Sequence, residues 1–196
     1  LGKAYAALVS GNAVELPDKT ASLKDWGRQL EKEAAEARTA DEADYWKTAE
    51  EAVFRLPEDS VPEQSGAAKR SMVIRLDREQ SKRLLNLRKE AYGAGINELL
   101  VTALAQALKE WTGQSSMTLE LEGHGRGLEE SGLSRTVGWF TAIYPVRLSL
   151  IQDTAGEQIK AVKELLRQVP RGGVGYGILR YLTGSMSGRE AGLAEI

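Results

Sequence analysis

Met117-Thr118-Leu119-Glu120-Leu121-Glu122, running into Gly123-His124-Gly125-Arg126, is the stretch on which the fold turns. Met117, Leu119 and Leu121 alternate with Thr118, Glu120 and Glu122, the period-2 pattern of a half-buried strand. Glu122 therefore belongs to the polar face and closes the strand. The two glycines beyond it admit backbone conformations closed to residues with a Cβ, and let another group approach the chain closely. A carboxylate, an imidazole and a guanidinium are gathered at a strand end. That composition suits either a site or a Gly-rich turn with solvated charges.

Working outward, a polar bridge from Gly127 to Ser134 leads to Val137–Leu150, a segment with little charge that ends in a strand-like Val146, Leu148, Leu150 alternation. Upstream, Ser71 to Leu76 alternates like another strand. Asp77 is expected to cap a helix running to about Tyr92, with Leu84, Leu87 and Ala91 inward. Gly93 and Gly95 break it, and Asn97 is expected to cap the most apolar helix. There Leu100, Leu104, Ala107, Leu108 and Trp111 recur at helical spacing and read as core. Thr154 to Gln168 is amphipathic, with Ile159, Val162, Leu165 and Leu166 on the apolar stripe, and Pro170 ends it. Strand, helix, helix, strand, strand, helix predicts an α/β two-layer sandwich and not a helical bundle.

The N-terminal part is helix-rich. Gly2 to Val9 reads as a helix end stopped by Ser10-Gly11-Asn12, and Leu16-Pro17-Asp18 as an exposed connection. Ser22, with Asp25 three residues on, should cap a charged helix through Arg38 that buries Leu23, Trp26 and Leu30. Asp41 should start another carrying Tyr45, Trp46 and Ala49. Leu56 to Ala68, with two prolines and several acids, reads as a surface loop.

At 196 residues the chain can bury a good-sized core. With 26 Lys+Arg against 28 Asp+Glu the net charge is −2, so no global field favours nucleic acid or an anionic membrane. The absence of cysteine removes disulfides, thiolate metal sites and a Cys nucleophile, and suits a reducing cytoplasm. No apolar run approaches the roughly 20 residues that span a bilayer.

Three segments in order, Glu122-Gly123-His124-Gly125-Arg126, then Arg135-Thr136-Val137-Gly138-Trp139-Phe140-Thr141-Ala142-Ile143-Tyr144-Pro145-Val146, then Pro170-Arg171-Gly172-Gly173-Val174-Gly175-Tyr176-Gly177, resemble successive signature motifs of the epimerisation domains of nonribosomal peptide synthetases. Leu16-Pro17-Asp18-Lys19-Thr20 with Trp26, and Tyr45-Trp46, extend the likeness over most of the chain. One departure is Gly127, where the family usually has a second Glu. The family's His-His-x-x-x-Asp motif is absent, and His124 is the sole histidine. By family order that motif lies just upstream of Leu1, and a Phe-Asn-Tyr-Leu-Gly motif should begin about where the chain stops. The resemblance therefore implies an internal piece of a larger domain. Residues 1–69 would be the helical tail of an N-terminal lobe with its connecting loop, and residues 70–196 a chloramphenicol acetyltransferase-like C-terminal lobe.

Inverting a Cα stereocentre needs two acid/base groups flanking a planar carbanion. A carboxylate of ordinary pKa, about 4, is a feeble base for such a proton. A thioester acidifies the proton, and withdrawal from water strengthens the carboxylate as a base. The resemblance implies Glu122 as catalytic acid/base, facing the seam between lobes, with the partner histidine on the absent lobe. Arg126, His124, Trp139, Thr141 and Tyr144 are expected to support or position substrate. For His124 a hydrogen-bonding role is expected before direct proton transfer, and Trp139 and Phe140 are expected as core or tunnel-wall aromatics.

The implied reaction is L/D interconversion at the Cα of an aminoacyl or peptidyl thioester. No metal or cofactor of its own is implied. The substrate rides on the phosphopantetheine arm of a peptidyl carrier domain, which with the absent lobe is the expected partner, and this piece alone should be inactive. Four glycines within Gly172–Gly177, ahead of an expected helix from Ile178 to Leu182, also suggest a phosphate-cradling loop. With no Lys-Ser/Thr after them and no buried strand before, they read instead as close-packing turn residues. The alternatives are a condensation domain forming amide bonds between carrier-bound units, and a non-catalytic carrier-docking module.

Overall fold

The computed structural model describes residues 2–50, 54, 56–57, 71–90, 93–128 and 132–186. Its centre is an antiparallel hairpin of β1 (Ser116–Gly123) and β2 (Ala142–Ser149), paired so that Met117 faces Leu148, Leu119 faces Val146 and Leu121 faces Tyr144. Cross-strand partners share a face, so alternation in both strands sends one set inward. Met117, Leu119, Val146 and Leu148 are at most 1% exposed. Each such side chain contributes about 1.5–3 kcal/mol by leaving water.

Two helices close that core. The first, α6 (Ile96–Thr112), supplies Ala105 and Leu108, and α7 (Ala155–Arg167) supplies Val162. The α7 helix begins where expected, its Thr154 hydroxyl accepting from the Glu157 N–H. Its stripe is Ile159 and Val162 buried, with Leu165 and Leu166 half-buried.

The α6 helix departs from expectation. Its N-cap is Gly95 and not Asn97, and its buried residues are Leu99, Thr102, Ala105 and Leu108. Of the expected stripe only Leu108 is inside; Leu100, Leu104, Ala107 and Trp111 are exposed. The helix is apolar on more than one face, and the hairpin and α7 select the face that is covered.

Ser71 to Leu76 is likewise corrected. The segment forms no strand and leaves Met72, Val73 and Ile74 more than two-thirds exposed. Alternation supplies a suitable surface, but a strand also needs a ladder partner. After it, Asp77 caps α5 (Arg78–Glu90) as expected, its Oδ1 accepting from the Gln80 N–H at 2.7 Å. Leu84 packs beside Ala94, Leu99 and Ile159, Leu87 is exposed, and Ala91 lies outside the described residues.

In the N-terminal part α1 (Gly2–Val9) stops at Gly11, which turns the chain at φ +69°. A capping box of Ser22 and Asp25 opens α2 (Leu23–Ala34). Trp26 is buried, whereas Leu23 is half-exposed. The helix ends at Ala34 instead of Arg38, and the chain resumes as α3 (Ala37–Asp41) and α4 (Ala43–Glu50). The break has a partner: the Thr39 hydroxyl donates back to the Glu33 carbonyl at 2.8 Å. In α4, Trp46 is fully buried in the hairpin core, edge-on to Tyr144 at 6.0 Å. Most of the expected loop from Leu56 to Ala68 falls outside the described residues.

Beyond α7, Pro170–Gly173 forms a 3-10 turn, Val174–Gly177 a single α-turn, α8, and Ile178–Leu182 a π-turn, where one regular helix over 178–182 was expected. No described helix is long and apolar enough to cross a membrane.

Candidate functional site

The three glycine-bearing segments meet in space. A Cβ on Gly125, which sits at φ +66°, would lie 1.4 Å from the Phe140 carbonyl oxygen. A Cβ on Gly123 would come within 2.7 Å of the Gly172 oxygen, and one on Gly127 within 2.6 Å of the Arg171 oxygen. Gly173 presses on Tyr144, since a Cβ there would fall 1.8 Å from the ring. Only glycine permits these approaches. Gly127, where the resemblance expects a second Glu, lies so close to the Arg171 carbonyl that a Cβ there would require this contact to shift.

Glu122 ends β1 opposite Ile143, and both are exposed. It reaches the rim of a cavity of about 390 Å³ also lined by Glu98, Leu100, Leu121, Tyr144 and Leu166. The described residues do not themselves withdraw the Glu122 side chain from water. His124 is also exposed, and its Nδ1 accepts from the Arg126 N–H at 3.4 Å, which stiffens the turn.

Arg126 turns away from Glu122. Its guanidinium donates to the carbonyls of Leu133 and Thr136, the latter at 3.0 Å, and lies 4.1 Å over the Phe140 ring. It staples the bridge after β1 to the segment before β2. Thr136 continues the seam, its hydroxyl donating to the Ala21 carbonyl at 2.5 Å.

The two aromatics of the second segment divide. Phe140 is a core aromatic, buried edge-on to Trp26 at 6.1 Å, whereas Trp139 is 85% exposed and lies outside the core of this chain. Thr141 is half-buried and lines a larger cavity of about 600 Å³, with Trp26, Leu30, Glu120, Ile143 and Ile178 among its walls. Tyr144 is half-buried on the Glu122 cavity, and burial pushes its hydroxyl pKa up. The six expected residues thus cluster at one end of the hairpin but divide between two cavities, the half-buried Arg126 staple and the open surface.

Two buried polar groups were not expected. The Arg171 guanidinium donates to Glu42 at 2.5 Å, Glu33 at 2.9 Å and Thr39 at 3.1 Å, joining the glycine-rich turn to α2, α3 and the start of α4. Nearby, Tyr176 donates to Glu50 at 2.7 Å, and Arg180 donates to the same Glu50 oxygen at 3.0 Å. Burial first, then the Glu50 hydrogen bond and charge, raises the Tyr176 pKa far above its usual value. Charges on short amphipathic helices read as solvated faces; only the Arg inside a glycine run carried a signal. Among the described residues no group of His, Asp and Glu is arranged to hold a metal ion.

An α/β lobe whose hairpin end is built by three interlocked glycine segments is the class of molecule these features define. The chain belongs to the condensation-domain family: the Condensation domain family matches residues 1–191. It is 40% identical over 189 residues to tyrocidine synthase 1 of Brevibacillus parabrevis, covering 93% of this chain and 17% of that protein, so the chain spans a small part of such a relative. The epimerization domain from the third module of tyrocidine synthetase B superposes with a TM-score of 0.75 at 36% identity, over 93% of this chain and 42% of that one. The first condensation domain of the CDA synthetase gives 0.64 at 20% identity, over 88% of this chain and 38% of that one, a likeness of fold alone. The fold is that of a chloramphenicol acetyltransferase-like lobe, and the relatives are nonribosomal peptide synthetases.

Proposed function

We propose that this chain is the carboxylate-bearing part of an epimerisation domain, acting on an aminoacyl or peptidyl thioester held on a carrier domain. The observation that carries the reading is the convergence of the three motif segments on the loop that begins at Glu122. Sequence identity supports it further, at 36% to an epimerization domain against 20% to a condensation domain.

In the proposed mechanism the Glu122 carboxylate takes the Cα proton, and the C–H electron pair passes into the thioester as an enolate. A second acid/base group, outside this chain, returns a proton to the opposite face. Residues 1–69 are proposed as the tail of the N-terminal lobe and residues 70–196 as the C-terminal lobe, so that Glu122 faces the seam. The surface that covers Glu122 there would supply the water exclusion that the described residues lack. Tyr144, on the same cavity as Glu122, and Thr141, on the other, are proposed as polar contacts to substrate or its pantetheine arm. Trp139, exposed here, is proposed to meet the covering lobe.

The complete domain, given a carrier-bound L-aminoacyl thioester in heavy water, should exchange deuterium into Cα and yield both stereoisomers. Glu122→Gln should abolish exchange while thermal stability and carrier affinity stay within error. An unexchanged Cα with amide formation would assign a condensation domain instead, and neither reaction, with carrier affinity intact, a docking module.

A further inference from the structure

We infer that Arg171 is a positioning residue that sets where the Glu122 loop sits, an assignment that rests on the proposed role of Glu122. Three independent features of its position point to this.

The first is its backbone. Arg171 stands at φ 46°, ψ 32°, the sole non-glycine with positive φ among the described residues, and Gly172 and Gly173 follow at φ 60° and 88°. Three consecutive left-handed residues form a tight reversal in which the first would cost least as glycine. A side chain is kept where it is conformationally unfavourable, so the side chain has work to do.

The second is where the side chain goes. The side chain is 15% exposed, and its guanidinium uses all three nitrogens, on Glu42, Glu33 and the Thr39 hydroxyl. The Glu33 and Glu42 carboxylates are themselves 7% and 11% exposed. Glu42 also accepts from the indole N–H of Trp46 at 3.1 Å, which ties the cluster to the hairpin core. A fork satisfied at each prong fixes orientation as well as distance, which an ammonium does not.

The third is what the backbone touches. The carbonyls of Arg171 and Gly172 abut Gly127 and Gly123, with 2.6 and 2.7 Å left for a Cβ. Gly123 is bonded to Glu122, so the two successive carbonyls of Arg171 and Gly172 form a floor under the loop that begins at the proposed acid. Glu33 and Glu42 hold Arg171, Arg171 fixes the floor, and the floor sets the height of Glu122. A base displaced by about 1 Å from its attack geometry loses on the order of a hundredfold in rate.

The test uses the complete domain and measures Cα exchange and carrier-thioester KM, below the melting temperature of each variant. Arg171→Gly relieves the backbone strain while removing the fork. It should lower kcat at least tenfold and leave KM within twofold, and Arg171→Lys should stay within threefold of the Gly variant. Wild-type kcat in folded Arg171→Gly would reduce the cluster to a structural brace and overturn the inference. Should Arg171→Gly fail to fold, Gly123→Ala decides: its Cβ, 2.7 Å from the Gly172 oxygen, pushes the loop off the same floor with the ion cluster intact. It should reproduce the kcat loss, and wild-type turnover there would overturn the inference equally. If Glu122→Gln still exchanges, the proposed function fails. If Glu122→Gln is dead while the Arg171 and Gly123 variants turn over normally, only the positioning role fails.

Discussion

Gly125→Ala should be far more damaging than Gly113→Ala, although both glycines have nearly the same backbone, φ +66° and +73°. Gly113 caps the end of α6 with nothing within 4 Å of a built Cβ, so alanine there pays only for left-handed backbone, about 1–2 kcal/mol. At Gly125 the same Cβ lands 1.4 Å from the Phe140 oxygen and 3.3 Å from the Ala142 nitrogen. Reaching van der Waals separation requires the loop and the start of β2 to part by about 2 Å. Adjacent strands lie about 4.8 Å apart, so that displacement opens the Gly123–Ala142 end of the hairpin. The Arg126 staple over Phe140 would be lost with it. A cost above about 4 kcal/mol follows, placing the substitution in the exceptional class. Urea unfolding followed by tryptophan fluorescence suits the measurement, because Trp26 lies against Phe140. Costs for the two variants within about 1 kcal/mol of each other would refute the close approach of these segments.

Ser22→Ala removes the hydroxyl that accepts from Asp25 N–H at the start of α2 and should cost about 1 kcal/mol by thermal melting. Trp46→Ala empties a fully buried indole site and strips a hydrogen bond from Glu42; about 3–5 kcal/mol is expected in denaturant titration. Tyr45, Tyr144 and Tyr176 all have pKa values raised above 10.0 in the folded chain. Above that pH the unfolded state loses protons that the native state keeps, so stability is complete below pH 10 and falls as pH rises beyond it. Melting temperature followed upward from pH 9 should drop less steeply in Tyr176→Phe than in the wild type, from a lower starting stability.

What the sequence disclosed about the fold was decided by locality. The hairpin strands, the Ser22 and Asp77 caps and the α7 stripe depend on neighbours within a few residues, and each stands as the pattern implies. The departures depend on distant partners. Leu100, Leu104 and Trp111 on α6 satisfy helical periodicity as well as Leu99 and Ala105 do, and only the hairpin's placement chooses between them. Met72, Ile74 and Leu76 recur at every second position as in a strand, with no described strand beside them.

The site divides along the same line. Motif order placed Glu122, His124 and Arg126 at one strand end, and the loop is there. Whether a carboxylate is dry is set by what lies on top of it, and a linear pattern cannot encode that. Arg126 was expected to support or position substrate, and the linear pattern gave no sign that the Leu133 and Thr136 carbonyls, seven and ten residues on, take its fork. Arg171 shows the converse, because its partners Glu33, Thr39 and Glu42 lie more than 120 residues away and look like solvated helix charges. A left-handed arginine inside a glycine run is the one local sign that such partners exist. Non-glycine residues at positions where glycine would be easier therefore repay a search for what their side chains hold.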